Sequence, residues 1–150
     1  MSNQNKQNIS PDERLLSEIY KSVSMGSDSV TTIIGKTKDS TLRTALTSQL
    51  DGYQRFVNET KAKMNEKNIE VKNPGILSKM PSEISINMTT MIDNSTTKIA
   101  EMMINGSTMG VIEIKRTVNK TTGASEDCLK IADDYINFEE SNITNMKNYL

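Results

Sequence analysis

The chain has 150 residues, of which 18 are lysine or arginine, 19 are aspartate or glutamate and none is histidine. This length suits one domain with a single core, and the nearly balanced charge gives no electrostatic attraction to nucleic acids or anionic membranes. The lack of histidine excludes Ser-His and Cys-His catalysis and imidazole metal ligands.

Three further features of the sequence predict a cytoplasmic protein. The apolar runs are only a few residues long, which excludes a membrane-spanning helix. The first residues, MSNQNKQNISPDER, lack the hydrophobic centre of a signal peptide. Cys128 is the only cysteine, which excludes an internal disulfide and suits a reducing compartment.

The first two helices are predicted from capping residues and from apolar residues that recur every seven positions. Residues 1–10 are polar and are expected to form a disordered tail. The sequence SPDE at residues 10–13 combines a capping serine, a proline and a glutamate, and it opens a helix to about residue 36. Asp39 or Ser40 caps a second helix that runs to about residue 68. The predicted inward rows are Leu16, Val23, Val30 and Ile19, Gly26, Ile33 in the first helix, and Leu42, Gln49, Phe56 and Leu46, Tyr53, Thr60 in the second.

A long connection, residues 69–81, contains Pro74 and Pro81 and precedes two more predicted helices. The third helix is expected from about residue 82 to 119, where NKTTGAS ends it, and the fourth from Ser125 to the C-terminus. Their predicted inward rows are Met88, Ser95, Met102, Met109 and Ile92, Ile99, Gly106, Glu113 in the third helix, and Leu129, Ile136, Ile143, Leu150 and Ala132, Glu139, Met146 in the fourth.

Four long helices predict an all-α four-helix bundle formed by residues 11–150. Short turns join the first helix to the second and the third to the fourth, so each pair is expected to be an antiparallel hairpin. Residues 69–81 would span about 43 Å if extended, and a helix of about 27 residues is about 40 Å long. The connection can therefore cross the length of the bundle or turn at one end.

Helix order and helix length across residues 11–150 make the chain resemble the ferritin-like four-helix-bundle superfamily, in particular small bacterial members of unknown function that lack the di-metal ligands. The resemblance implies two hairpins joined by a long crossover. In the superfamily a metal centre needs one carboxylate from each of two helices and Glu-x-x-His from the other two.

The candidate metal ligands match that pattern poorly. The second helix has Gln49 where the glutamate of Glu-x-x-His would stand, and the fourth has Glu139 followed by asparagine instead of histidine. Glu18 and Glu101 are the carboxylates that the first and third helices offer. We therefore expect a scaffold without a working metal centre and without a cofactor, in which Gln49 and Glu139 form a buried polar contact. The alternative is a carboxylate-only site for iron or manganese.

Glycines in three of the predicted helices need an explanation, because each costs a helix interior about 1 kcal/mol relative to alanine. Gly26 and Gly106 fall in predicted inward rows, and Gly52 lies beside one. Close packing of a neighbouring helix or a large side chain is one reading, and a ligand cavity in the middle of the bundle is another. A third reading takes NGSTMG, residues 105–110, as a turn within the third helix. We favour close packing and a continuous helix, because the apolar rows continue in phase from Met102 to Met109.

The third helix is apolar around more of its circumference than one core stripe requires. Gly110 widens this face, whose further apolar residues are Ile104, Val111, Ile114 and Val118. We therefore expect a non-catalytic bundle that acts through self-association or a protein partner, with Val111 in the interface. The alternative function is a ferritin-like metal-binding or redox and stress protein.

Overall fold

Four α-helices make up most of residues 8–72 and 94–150, which are the residues that this computed structural model describes. The helices are α1 (Pro11–Ile34), α2 (Ser40–Glu66), α3 (Thr96–Lys120) and α4 (Glu126–Met146), and a 3-10 turn, Lys147–Tyr149, follows α4. No strand occurs in these two ranges, and none of their helices is long and apolar enough to cross a membrane. The predicted all-α four-helix bundle is confirmed.

Side-chain caps fix the starts of the first three helices. The Ser10 hydroxyl accepts a hydrogen bond from the Glu13 backbone N–H at 3.1 Å, as predicted. Of the two candidates for the second cap, Asp39 fills the role by accepting from the Leu42 N–H at 2.8 Å. Ser95 has extended backbone and caps α3. The predicted start of the third helix at about residue 82 was therefore wrong, because α3 begins at Thr96, after the Ser95 cap, although it continues through NGSTMG as predicted. The rest of its predicted first part, residues 82–93, lies outside the described residues.

Hydrogen bonds between helix ends define the topology. The Asn94 side chain donates to the Lys36 carbonyl at 3.0 Å, so α3 starts where α1 ends. The Ser125 N–H donates to Asp12 at 2.7 Å, so α4 starts where α1 starts. Lys67 pairs with Asp12 at 3.1 Å, which places the end of α2 at that same end of the bundle. The second helix therefore ends and the third begins at opposite ends of the bundle. Both hairpins are antiparallel, and the chain between α2 and α3 has to join opposite ends of the bundle, as the crossover alternative requires.

The inward rows predicted for α1 and α2 are confirmed almost throughout. Gly26 and Gly52 are the places where these helices admit aromatic rings. A Cβ at Gly26 would overlap the ring of Tyr53, and one at Gly52 would overlap the ring of Phe138. These two rings pack edge to face, with their centroids 5.0 Å apart. Close packing is therefore confirmed for Gly26 and Gly52.

The inward face of α3 is rotated from the predicted one. Gly106 and Glu113 are exposed, and Met109 is 40 % exposed, although all three were placed in the inward rows. A Cβ at Gly106 would meet no atom of the described residues within 4 Å, so the prediction of close packing there was wrong. The residues of α3 that are buried are Ile99, Ala100, Met103, Ser107 and Ile114.

The same rotation removes the apolar face on which self-association was predicted. Ile114 is fully buried, and Val111 is partly buried and packs against the core, as Ile104 and Val118 do. Val111 thus contributes to the packing of its own chain. The expectation of a homo-oligomer or protein partner stays a prediction.

Candidate ligand cavity

A cavity of about 370 Å³ lies between α1 and α3 near the middle of the bundle. Its walls are mostly apolar, and several of them are methionines, whose unbranched side chains adapt to different shapes. Its floor is formed by Tyr53 from α2 and by Tyr135 and Glu139 from α4. The apolar wall residues are Met25, Val30, Ile33, Met102, Met103 and Met109.

Three glycines line the cavity, and each contributes in a different way. Gly26 leaves room for the Tyr53 ring to reach the floor. Gly106 adds no side chain to the wall, where the space around it is open. Gly110 lies over the polar floor, because a Cβ there would be 3.0 Å from Oε2 of Glu139 and 3.4 Å from the Tyr135 hydroxyl oxygen. The second explanation of the glycines, a ligand cavity in the middle of the bundle, therefore holds for Gly106 and Gly110.

Glu139 is the central polar group of the floor. Its side chain is 1 % exposed, and its Oε1 atom has no hydrogen-bond partner among the residues that the structure describes. Burial raises the pKa of the carboxyl group to about 7, although the polar neighbours Tyr53, Ser107 and Asn142 lower it part of the way. Near neutral pH this residue therefore divides between an ionised form and a neutral form.

The two tyrosines of the floor stay protonated near neutral pH. Burial and then the negative charge of Glu139 raise the pKa of both Tyr53 and Tyr135 well above the ordinary value. The Tyr135 hydroxyl shares a hydrogen bond with Ser22 of α1 at 2.8 Å. Both tyrosines thus contribute a neutral hydroxyl group to the polar end of the cavity.

The bundle also contains other buried polar side chains. Gln49, Thr60 and Asn142 are all buried. Within the described ranges, neither amide atom of Gln49 has a hydrogen-bond partner, and the same is true of Nδ2 of Asn142. The burial of Gln49 and Glu139 was predicted correctly. The predicted polar contact between them is not made by a hydrogen bond, because Gln49 makes none with any described residue.

The three candidate metal ligands are not brought together. Glu18 and Glu139 both line the cavity. Glu101 is exposed on the outer face of α3, where it pairs with Lys98 at 3.4 Å. In the described part of the chain, a group of three ligating side chains within 4.8 Å of one another occurs elsewhere and consists of Asp12, Asp127 and Cys128. The expectation of a bundle without a metal centre stays a prediction.

That acidic group ties the ends of three helices together. Lys67 pairs with Asp12 at 3.1 Å and with Asp127 at 3.4 Å, and Lys63 pairs with Asp127 at 3.2 Å. Burial would raise the pKa of Asp12, but hydrogen bonds from Ser125 and Lys67 lower it below the usual value. Ion pairs and hydrogen bonds from Ser125 therefore account for these carboxylates.

Part of the cavity could be found from the sequence. Tyr53 and Glu139 fall in predicted inward rows of α2 and α4, and Gly26 falls in one of α1. Ser22 and Ser107 were missed, because an isolated serine in a helix carries no signal that distinguishes a buried position from an exposed one. Tyr135 lies one residue before the predicted row position Ile136, so the apolar rows do not mark it.

No protein-family model, curated protein or solved structure matches the chain.

Proposed function

We propose that the protein is a non-catalytic helical bundle that binds a small, mainly apolar molecule in the cavity between α1 and α3. A volume of about 370 Å³ lies within the range of small-molecule sites. Such sites have mainly apolar walls and a few convergent polar groups, and this cavity has methionine and aliphatic walls above a floor of one carboxyl and two hydroxyl groups.

The observation that carries the proposal is that Oε1 of Glu139 is buried and has no hydrogen-bond partner among the described residues. A buried acceptor without a hydrogen bond costs about 1–3 kcal/mol, so native proteins rarely retain one without a reason. Here the carboxyl group belongs to the lining of a cavity, so an occupant can supply the missing hydrogen bond. We propose binding instead of catalysis because the chain has no histidine to act as a base or a nucleophile.

Titration of the full chain with N-phenylnaphthylamine, an uncharged fluorophore that brightens in apolar surroundings, tests this proposal. Wild-type protein should bind about one equivalent. Gly106→Leu should bind much less, because the added side chain fills space beside the cavity, where no atom of the described residues lies within 4 Å of a Cβ at this position. Thr108→Leu is the matched control, since Thr108 is exposed on the same helix and does not line the cavity. Equal binding by the two leucine variants, or no binding by the wild type, would contradict the proposal.

A further inference from the structure

We infer that the ligand of this cavity carries a positively charged amine, which the carboxylate of Glu139 binds at the floor while the apolar remainder lies against the methionine walls. The inference rests on the proposed function and adds the chemical class of the ligand.

The charges around the cavity favour a cation. Glu18, Glu113 and Glu139 line it, and Lys21 is the cationic residue of the lining. Glu113 lies at the rim, where it is exposed and pairs with Arg116 at 3.0 Å. The buried end of the cavity is therefore negative whenever Glu139 is ionised, and an anionic ligand would be repelled there.

The floor has the hydrogen-bonding groups that an ammonium needs. An ammonium has three N–H donors and no acceptor. Glu139 offers Oε1, which has no partner among the described residues, and Oε2, which faces Gly110. A hydrogen bond between two charged groups is about twice as strong as one between neutral groups. An amine therefore satisfies the floor better than an alcohol of the same length.

The ionisation of Glu139 makes this preference depend on pH. Burial raises its pKa to about 7, while an alkylammonium, like lysine, keeps its charge up to about pH 10. The ionisable groups near it are Tyr53 from α2, Tyr135 from its own helix, Glu18 and Lys21 from α1, and Glu113 from α3. Both tyrosines stay neutral, so the preference for an amine should rise between pH 6 and pH 8. A ligand that accepts a hydrogen bond from neutral Glu139 should show the opposite trend.

Displacement of bound N-phenylnaphthylamine by octylamine, octanol and octanoate tests the inference, because these three differ only in the head group. At pH 8, octylamine should displace the fluorophore at about tenfold lower concentration than octanol, and octanoate should be the weakest. At pH 6 the advantage of octylamine should shrink. Glu139→Gln, which keeps the shape but not the charge, should abolish the advantage. Glu101→Gln, which removes a carboxylate on the outer face, should leave it intact.

The outcomes separate this inference from the proposed function. If octanol or octanoate displaces the fluorophore as well as octylamine does, the amine assignment is wrong although the cavity binds ligands. An advantage of octylamine that persists in Glu139→Gln also overturns it, because the amine is then bound elsewhere. If the wild-type chain binds neither the fluorophore nor any of the three compounds, both proposals fail.

Discussion

Gly110 of α3 and Glu139 of α4 lie in direct apposition, so that a Cβ at Gly110 would be 3.0 Å from Oε2 of Glu139. That separation is shorter than an ordinary contact between carbon and oxygen. A glycine at this position therefore lets the carboxyl group stand at the floor of the cavity, and any larger residue would push against it.

Replacing Gly110 with alanine should stabilise the protein less than replacing Gly106 with alanine. Both changes gain helix propensity, which is about 1 kcal/mol in favour of alanine. At Gly106 the new methyl group meets no atom of the described part of the chain within 4 Å, so the full gain is expected, whereas at Gly110 it crowds Glu139. Urea denaturation of the two variants measures the difference. Equal stabilisation by both would mean that the carboxyl group moves aside without cost.

Glu139 should make the protein less stable as the pH rises. Its pKa is about 7 in the folded chain and 4.5 for the free side chain, so the folded state holds the proton more tightly. The resulting stabilisation is complete below about pH 4.5 and is lost as the pH rises through 7. It amounts to roughly 3 kcal/mol.

Comparison with Glu139→Gln isolates this effect, because the other titrating groups are common to both proteins. The variant should gain stability relative to wild type between pH 5 and pH 8, as measured by urea denaturation at each pH. Glu101→Gln should show no such gain, since Glu101 is exposed. A constant difference between Glu139→Gln and wild type across this range would show that Glu139 ionises like an exposed carboxyl group.

Alanine at Gly26 or Gly52 should destabilise the bundle. The added methyl group would overlap the ring of Tyr53 in the first case and the ring of Phe138 in the second. Overpacking of this kind costs about 1–3 kcal/mol, which exceeds the gain in helix propensity. Thermal melts should therefore shift downwards for both variants, and upwards for the control Gly106→Ala. An upward shift for Gly26→Ala would mean that Tyr53 has room to turn away.

The fold was predictable because caps and heptad rows agree in most of the chain. The SPDE start, the Asp39 cap and the rows of α1 and α2 need only local sequence to recognise, since their buried residues are mostly apolar. The sequence does not decide whether the connection crosses the bundle, because residues 69–81 are long enough either to cross it or to turn at one end. Asn94 contacts the end of α1 and Lys67 contacts Asp12 at its start, so α2 ends and α3 begins at opposite ends of the bundle.

The phase of α3 was wrong for two physical reasons. The predicted apolar rows assume a helix that starts at about residue 82, whereas the helix starts after the Ser95 cap. Ser107 is buried beside Glu139, while Met109 is 40 % exposed, so apolar character does not mark the inward face here. Because the floor of the cavity is polar, hydrophobic periodicity fails at the residues that form the candidate site.

Glutamate at Val111 should destabilise the single chain. Val111 is partly buried and packs against the core, so a charge there loses both packing and hydration. We expect a loss of roughly 1–3 kcal/mol in urea denaturation. Ile112→Glu is the matched control, because Ile112 is the next residue and is 48 % exposed, and the stability of this variant should change little.

Sedimentation of the same variants tests the predicted self-association. If Val111→Glu keeps its stability but lowers the mass in solution, Val111 lies at an interface between chains; if only Ile112→Glu lowers the mass, the interface uses the exposed side of α3.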